Sequence, residues 1–227
     1  MNLALYSDQI IPANRAVDAV LCGMLPTHAR IGYVPSAIDP ERRYFRSREA
    51  YYQGLGLRLE VFHDPELGEE DSLGELFSCD AVHLSGGDTA HFLGRLHRAG
   101  MLAALRTYAA DGGVLIGVSA GAILMTPTIA VDVIFSGGNA RADAVEGALN
   151  LIAFEFFPHL DQDPRYLPAL REYSLHNGRT IIACDDGGGL VVRGDQLQTI
   201  GGVVEVKDGA ERPLEPAILS LADLCRR

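Results

Sequence analysis

The residues able to do chemistry fall in a few short stretches. In Gly117-Val118-Ser119-Ala120-Gly121 a serine stands between two glycines at the end of the apolar run Val114 to Val118. G-x-S-x-G between a strand and a helix is the pattern of a nucleophile elbow. The turn is tight enough to demand small residues on either side of the serine, and it lifts the hydroxyl clear of the sheet. A serine nucleophile needs a base within hydrogen-bond reach, a group orienting that base, and N–H donors for an oxyanion. Of the seven histidines, His159 follows an apolar stretch, Asn150 to Phe157, stopped by Pro158, and so should emerge at a strand end. His28, His63, His91, His97 and His176 fall in helices or at polar element ends and read as solvated. His83 lies inside an apolar strand and reads as a core residue. For the orienting acid, Asp185 and Asp186 follow the apolar run Ile181 to Cys184 and precede three glycines. Either could reach the imidazole, and the alternative is that both merely build the turn. The N–H of Ala120 follows the nucleophile directly, and that of Gly87 can approach closely for want of a side chain, so these two are the candidate oxyanion donors.

The elements needed to position these groups are legible as an alternation. Leu3 to Tyr6 and Ala29 to Val34 read as strands, with Ala16, Val17, Val20, Leu21 and Leu25 at helical spacing between them. Glu41 to Tyr52 reads as a helix dense in Arg and Tyr with a solvated face, and Leu57 to Phe62 as a third strand. An acidic loop and short helix, Glu66 to Phe77, lead to the strand Ala81 to Leu84. Helices Ala90 to Leu96 and Met101 to Ala110 then precede the elbow, and a helix Ala120 to Met125 follows it. This predicts a three-layer α/β fold, a parallel sheet with helices on both faces. Ligands in such sheets bind at the carboxyl ends of the strands, where both Gly86-Gly87 and the elbow fall, so the two turns should face one cleft. Thr180 to Ala183, Leu190 to Arg193, Gln196 to Ile200 and Val203 to Lys207 read as antiparallel C-terminal strands extending that sheet. Glu215 to Arg227 reads as a closing helix.

Bulk properties bound the function. The 227 residues suit one domain, 1–227, and 48% hydrophobic with 22% charged residues is ordinary for a globular chain. A net charge of -11 disfavours phosphate backbones and anionic membranes, which points to a small-molecule or peptide partner, with no nucleic acid and no membrane. Cys22, Cys79, Cys184 and Cys225 are scattered singly, without metal or redox spacing, and read as small core residues. No basic start followed by a long apolar stretch stands at the N-terminus and no segment is long enough to span a bilayer, so a cytoplasmic, reduced protein is expected. No metal or cofactor is expected, and the oligomeric state is expected to be monomer or homodimer.

Gly86-Gly87-Asp88-Thr89, then Gly117 to Ala122, then Ala148-Leu149-Asn150-Leu151 leading to Phe157-Pro158-His159, together resemble the peptidase E (aspartyl dipeptidase) and cyanophycinase family of serine peptidases. Three ordered motifs are far more specific than any one, and the likeness runs from about Leu3 through the Val203 region. The resemblance implies a class I glutamine amidotransferase-like fold and hydrolysis of short peptides through an acyl-enzyme. It implies Ser119 as nucleophile, His159 as base and then acid, and Gly87 and Ala120 as oxyanion donors. Asp186 falls at the third triad position, with Asp185 and Asp132 as alternatives; the family's dipeptidases usually carry Glu there. Asp88, Thr89 and Arg165 are candidate substrate contacts. The family's Gly-Glu-Thr-Arg after the histidine is replaced by Asp161-Gln162-Asp163-Pro164-Arg165. Arg165 could take the arginine's part, but Asp161 and Asp163 beside it disfavour an acidic first residue. An α/β-hydrolase esterase would run serine, acid, histidine, the wrong order here, and a glutamine amidotransferase would need cysteine at the elbow. A binding or regulatory module of the same fold, without activity, is the non-enzyme alternative.

Overall fold

The computed structural model describes residues 1–67, 70–138 and 147–222. Five strands, β1 (Asn2–Tyr6), β2 (Arg30–Val34), β3 (Arg58–Phe62), β4 (Ala81–Leu84) and β5 (Val114–Val118), run parallel in the order β1-β5-β4-β2-β3. Every residue of β4 and β5 is buried, which is why their sequences read as unbroken rather than alternating apolar runs. Between the strands run α1 (Arg15–Cys22), α2 (Arg43–Gly54), α3 (Glu70–Phe77), α4 (Thr89–Arg98) and α5 (Met101–Ala110). The expected helix from Glu41 starts at Arg43 because the Asp39 carboxylate accepts from the N–H groups of Arg43 and Tyr44, both at 3.0 Å.

The strand pleat divides the interior into two cores. Leu3 and Leu5 of β1 pack with Leu76, Phe92 and Leu105 on one face of the sheet. Ala4 and Tyr6 pack with Val17, Leu21 and Tyr52 on the other. Each fully buried aliphatic side chain contributes about 1.5–3 kcal/mol over its exposed state, so both helical layers are held to the sheet. The face of α2 expected to be solvated is only partly so. Phe45, Tyr51 and Tyr52 are buried, and Tyr52 donates toward Nδ1 of His83 at 2.8 Å, which satisfies that core histidine. His63, expected to be solvated, is buried beside Ser72, whose hydroxyl lies 2.8 Å from its ring nitrogen.

After the elbow come α6 (Ala120–Ile123), β6 (Glu155–Phe157), α7 (Tyr166–Asn177), β7 (Ile181–Cys184), β8 (Gly189–Arg193), β9 (Gln196–Ile200), β10 (Val203–Lys207), β11 (Ala210–Leu214) and β12 (Ile218–Ser220). The C-terminal strands do not all extend one sheet. β8, β9 and β12 continue the central sheet antiparallel from β1, but β7 and β10 join β6 and β11 in a separate four-stranded sheet. Phe156, Phe157, Ile181, Ile182 and Val206 of that sheet complete the first core. The chain passes from one sheet to the other through Asp185 to Gly188, where Gly187 has a φ of +81°. The strand expected over Asn150 to Phe157 shrinks to Glu155–Phe157, because the N–H groups of Leu149, Asn150 and Leu151 bond the carbonyls of Leu124, Thr126 and Met125. In place of the closing helix, Ile218–Ser220 pairs with β9, and Thr199 binds the carbonyls of Glu215 and Ala217. Residues 223–227 of that expected helix, with Cys225, lie outside the described residues. Among the described residues no helix is long and apolar enough to cross a membrane.

Candidate active site

The parallel strands all end at one edge, and a small polar residue follows several of them: Ser7 after β1, Ser85 after β4 and Ser119 after β5. Ser119 has φ 50° and ψ -111°, a conformation that costs a non-glycine residue about 1–3 kcal/mol and persists only when its surroundings impose it. They do. The Ser119 N–H donates to the Tyr6 carbonyl at 3.0 Å, and its carbonyl accepts from Ala122 and Ile123 at 2.9 and 3.0 Å. A Cβ on Gly117 would sit 2.5 Å from the Gly121 carbonyl oxygen, and one on Gly121 would sit 2.1 Å from that of Leu84. Both glycines are therefore required by backbone contact. The helix beyond is a single turn rather than the run to Met125, so little of a macrodipole stands behind Ala120, whose N–H still opens the helix without a carbonyl one turn earlier.

Ser119 Oγ lies 2.9 Å from His159 Nε2, and His159 Nδ1 lies 2.6 Å from Asp186 Oδ1. His159 stands after β6 in the left-handed region at φ 60°, which costs about 1–2 kcal/mol for an L residue, and its own N–H is taken by Ser7 Oγ at 2.7 Å. Phe135 meets the imidazole edge-on, with ring centroids 6.1 Å apart, and is itself stacked on Phe157, so the ring is flanked by an apolar wall. Asp186 is held on several sides. Gln162 donates to Oδ2 at 2.8 Å, Ser7 Oγ lies 3.2 Å from Oδ1, and the Asp186 N–H donates to Asp161 Oδ1 at 2.9 Å. Burial alone raises the Asp186 carboxyl, but hydrogen bonds from Gln162, His159 and Ser7 outweigh it and hold the group below its ordinary value.

The other candidates are placed differently. Asp185 turns away, with its carboxylate against Gly202, and burial together with Asp161 and Asp186 raises its pKa. Asp132, on the 3-10 turn Ala130–Ser136, accepts from the Thr89 hydroxyl at 2.5 Å, and burial keeps its carboxyl raised. Thr89 is thus occupied by Asp132, and Asp88 caps α4 by accepting from the His91 N–H at 2.7 Å. Arg165 forks onto Asp163 with its side chain 86% exposed, so its charge is neutralised in solvent. Gly87 has φ +141°, and a Cβ there would meet Ser36 Oγ at 2.3 Å. The Ser36 hydroxyl donates to the Gly86 carbonyl at 2.6 Å, and a Cβ on Gly86 would lie 3.6 Å from Ser119 Cβ, so the Gly86-Gly87 turn is fixed beside the serine.

The sequence alone assigns no role to Ser7, Asp8 or Gln162. The signal available for Ser7 is its place directly after a buried apolar strand, the same position Ser119 occupies after β5. Among the described residues, Asp8, His159 and Asp186 offer ligand atoms within 4.8 Å of one another. Both ring nitrogens of His159 already lie in hydrogen bonds, to Ser119 and to Asp186, so a cation here would have to displace one of them.

Comparison with known proteins gives three kinds of relative. Residues 6–200 match the model of peptidase family S51. The chain is 28% identical over 218 residues to Peptidase E of Streptomyces coelicolor (strain ATCC BAA-471 / A3(2) / M145), spanning 89% of this chain and 84% of that protein. Among solved structures, one described as a candidate peptidase E protein from Listeria monocytogenes EGD-e superposes with a TM-score of 0.66 at 23% identity, covering 94% of this chain and 98% of that one. A peptidase from an acI-B1 Actinobacterium superposes with a TM-score of 0.71 at 17% identity, covering 96% of each chain.

Proposed function

The chain belongs to peptidase family S51, and from that premise we propose that it is a serine-type peptidase hydrolysing short peptides, with Ser119 as nucleophile, His159 as base and Asp186 as orienting acid. One observation carries the reading: the hydrogen-bonded series from Ser119 Oγ to His159 Nε2, at 2.9 Å, and from His159 Nδ1 to Asp186 Oδ1, at 2.6 Å. Its order matches what acyl transfer by serine requires.

His159 Nε2 takes the hydroxyl proton as Oγ bonds to the scissile carbonyl carbon. The carbonyl oxygen becomes an oxyanion held by the N–H groups of Gly87 and Ala120. The C–N bond then breaks, His159 passes its proton to the departing amine, and an ester to Ser119 is left. Water attacks that ester with His159 again taking the proton, and Oγ leaves protonated. The anionic Asp186 fixes the tautomer that presents Nε2 as acceptor and stabilises the imidazolium. Every step uses groups of this chain.

Acidic first residues are disfavoured in this reading. Arg165 is spent on Asp163, and Asp8 and Asp161 add negative charge around the histidine and its acid. The test is a screen of wild type and Ser119→Ala side by side with dipeptides and tripeptides bearing acidic, neutral and basic first residues, free and end-blocked. Hydrolysis of neutral or basic peptides, reduced on the order of 10⁴–10⁶-fold in Ser119→Ala, is the expected result. Activity retained in the variant overturns the assignment of the nucleophile, and cleavage confined to acidic first residues overturns the specificity.

A further inference from the structure

We propose that Ser7 is a positioning residue of this site, its hydroxyl keeping the base and the acid in register with the nucleophile across the seam between the two sheets. The inference rests on the roles given above to Ser119, His159 and Asp186.

The nucleophile and its two partners stand on different sheets. Ser119 follows β5 of the central sheet, whereas His159 and Asp186 follow β6 and β7 of the second. The end of β1 reaches all three. The Tyr6 carbonyl accepts the Ser119 N–H at 3.0 Å, and the very next residue is Ser7. Ser7 is fully buried, and its N–H is fixed on the Gly188 carbonyl at 3.1 Å, so its hydroxyl points from a rigid strand end. That oxygen accepts the His159 N–H at 2.7 Å and lies 3.2 Å from both Asp186 Oδ1 and the Cys184 carbonyl.

A serine hydroxyl has one proton to give, and an anionic carboxylate is a stronger acceptor than a neutral carbonyl, so the proton belongs chiefly to Asp186. Ser7 therefore holds the base by its backbone and the acid by its side chain. The backbone it grips is at the left-handed residue, where the chain has least intrinsic reason to stay. Productive geometry between nucleophile and base tolerates little error; a misplacement of about 1 Å can cost about a hundredfold in rate. A hydroxyl that spans the seam is suited to prevent that error. Gln162, by contrast, reaches Asp186 and His159 from the second-sheet side, where its amide lies 2.8 Å from Asp186 Oδ2 and 3.2 Å from His159 Nδ1.

The experiment uses a fluorophosphonate probe, which needs no knowledge of the natural substrate. Ser119 Oγ bonds to phosphorus, fluoride leaves, and the hydroxyl proton passes to His159. Wild type, Ser119→Ala, Ser7→Ala and the near-isosteric, weakly hydrogen-bonding Ser7→Cys are compared for the inactivation rate at saturation (kinact), the half-saturating concentration (KI) and Tm. The expected result is wild type labelled and Ser119→Ala unlabelled. Ser7→Ala and Ser7→Cys should be slowed about ten- to a hundredfold in kinact, with KI unchanged and the slowing present in fully folded protein. If Ser7→Ala does not fold, Ser7→Cys reads the same quantity. Wild-type kinact in the folded Ser7 variants, with only Tm lowered, would mean a purely structural hydroxyl and overturns the inference. A wild type that the probe does not label overturns the Ser119 reading instead, and this inference falls with it.

Discussion

Gly121 and Leu84 touch through their backbones: a Cβ on Gly121 would lie 2.1 Å from the Leu84 carbonyl oxygen. The elbow is thereby pressed against the end of β4, the strand that leads into Gly86-Gly87, and Ser119, the proposed nucleophile, and the candidate oxyanion turn share one wall. Gly121→Ala and Gly117→Ala must shift backbone rather than a flexible side chain, so each is expected to cost at least the about 1–3 kcal/mol typical of overpacking. Gly74 is exposed within α3, and a Cβ added there would meet nothing within 4 Å, so Gly74→Ala is expected to stabilise by about 0.5–1 kcal/mol. Urea midpoints measure all three. Equal midpoints for the elbow and α3 variants would show that the backbone contact does not constrain the turn.

Asp185 and Asp186 are neighbours in sequence with opposite surroundings. Asp186 receives Gln162 and His159, while Asp185 rests against Gly202. Asp186→Asn is expected to lower kcat/KM on the order of 10⁴-fold by favouring the wrong imidazole tautomer. Asp185→Asn should change it by no more than a few-fold. The reverse ranking, measured on any peptide the wild type cleaves, would transfer the orienting role to Asp185.

The layered α/β fold is legible in the sequence, and so are the turns that bring Ser119 and His159 together, whereas the pairing of the C-terminal strands is not; the reason is locality. Gly117 answers the backbone of Gly121 and Ala122 a few residues on, and Gly121, whose contact is the Leu84 carbonyl far off in sequence, is still marked by its place in the G-x-S-x-G pattern. Which sheet β7 joins is decided by pairing with Glu155–Phe157 and Val203–Lys207, distant in sequence, so an apolar run at Ile181 to Cys184 looks like one more strand of the same sheet. Tyr51, Tyr52 and His63 are amphipathic types whose burial depends on partners such as Asp18, His83 and Ser72, which no periodicity reveals. Likewise Asp185 and Asp186 have the same chemistry, and that Asp186 rather than Asp185 meets His159 goes with contacts to Ser7, Gln162 and Gly202, all distant in sequence.

Arg165 is the residue that the sequence offers for recognition of an acidic residue, and its setting argues otherwise. Both Asp163 oxygens engage the guanidinium, which holds the Asp163 carboxyl down at about 2, and the arginine side chain stands in solvent. Arg165→Ala is expected to change the ratio of kcat/KM between acidic and neutral dipeptides by less than about twofold, the range of ordinary surface substitutions. A selective collapse of acidic-peptide hydrolysis would show that the guanidinium leaves Asp163 to bind substrate.

Two carboxylates at the site should respond to acid with opposite sign. Burial, reinforced by Asp88 and only partly opposed by the Thr89 hydroxyl, raises the Asp132 carboxyl above its unfolded value of about 3.9. Between those two values the folded chain binds more protons than the unfolded one, so this group removes stability as pH rises through its folded pKa. Asn at 132 keeps an oxygen for Thr89 without the charge. Asp132→Asn is therefore expected to be more stable than wild type at pH 7, with the gain shrinking toward pH 4. Asp186 runs the other way: its folded value is depressed, so its contribution is present above the unfolded value and is lost as pH falls through the folded one. Asp186→Asn should then be less stable than wild type at neutral pH and converge with it in acid. Tm measured from about pH 2 to 7 on the three proteins checks both signs, since the Asp186 contribution is lost only below its unfolded value, and a gain in Asp186→Asn at pH 7 would mean that burial of the carboxylate outweighs the hydrogen bonds that Gln162, His159 and Ser7 give it.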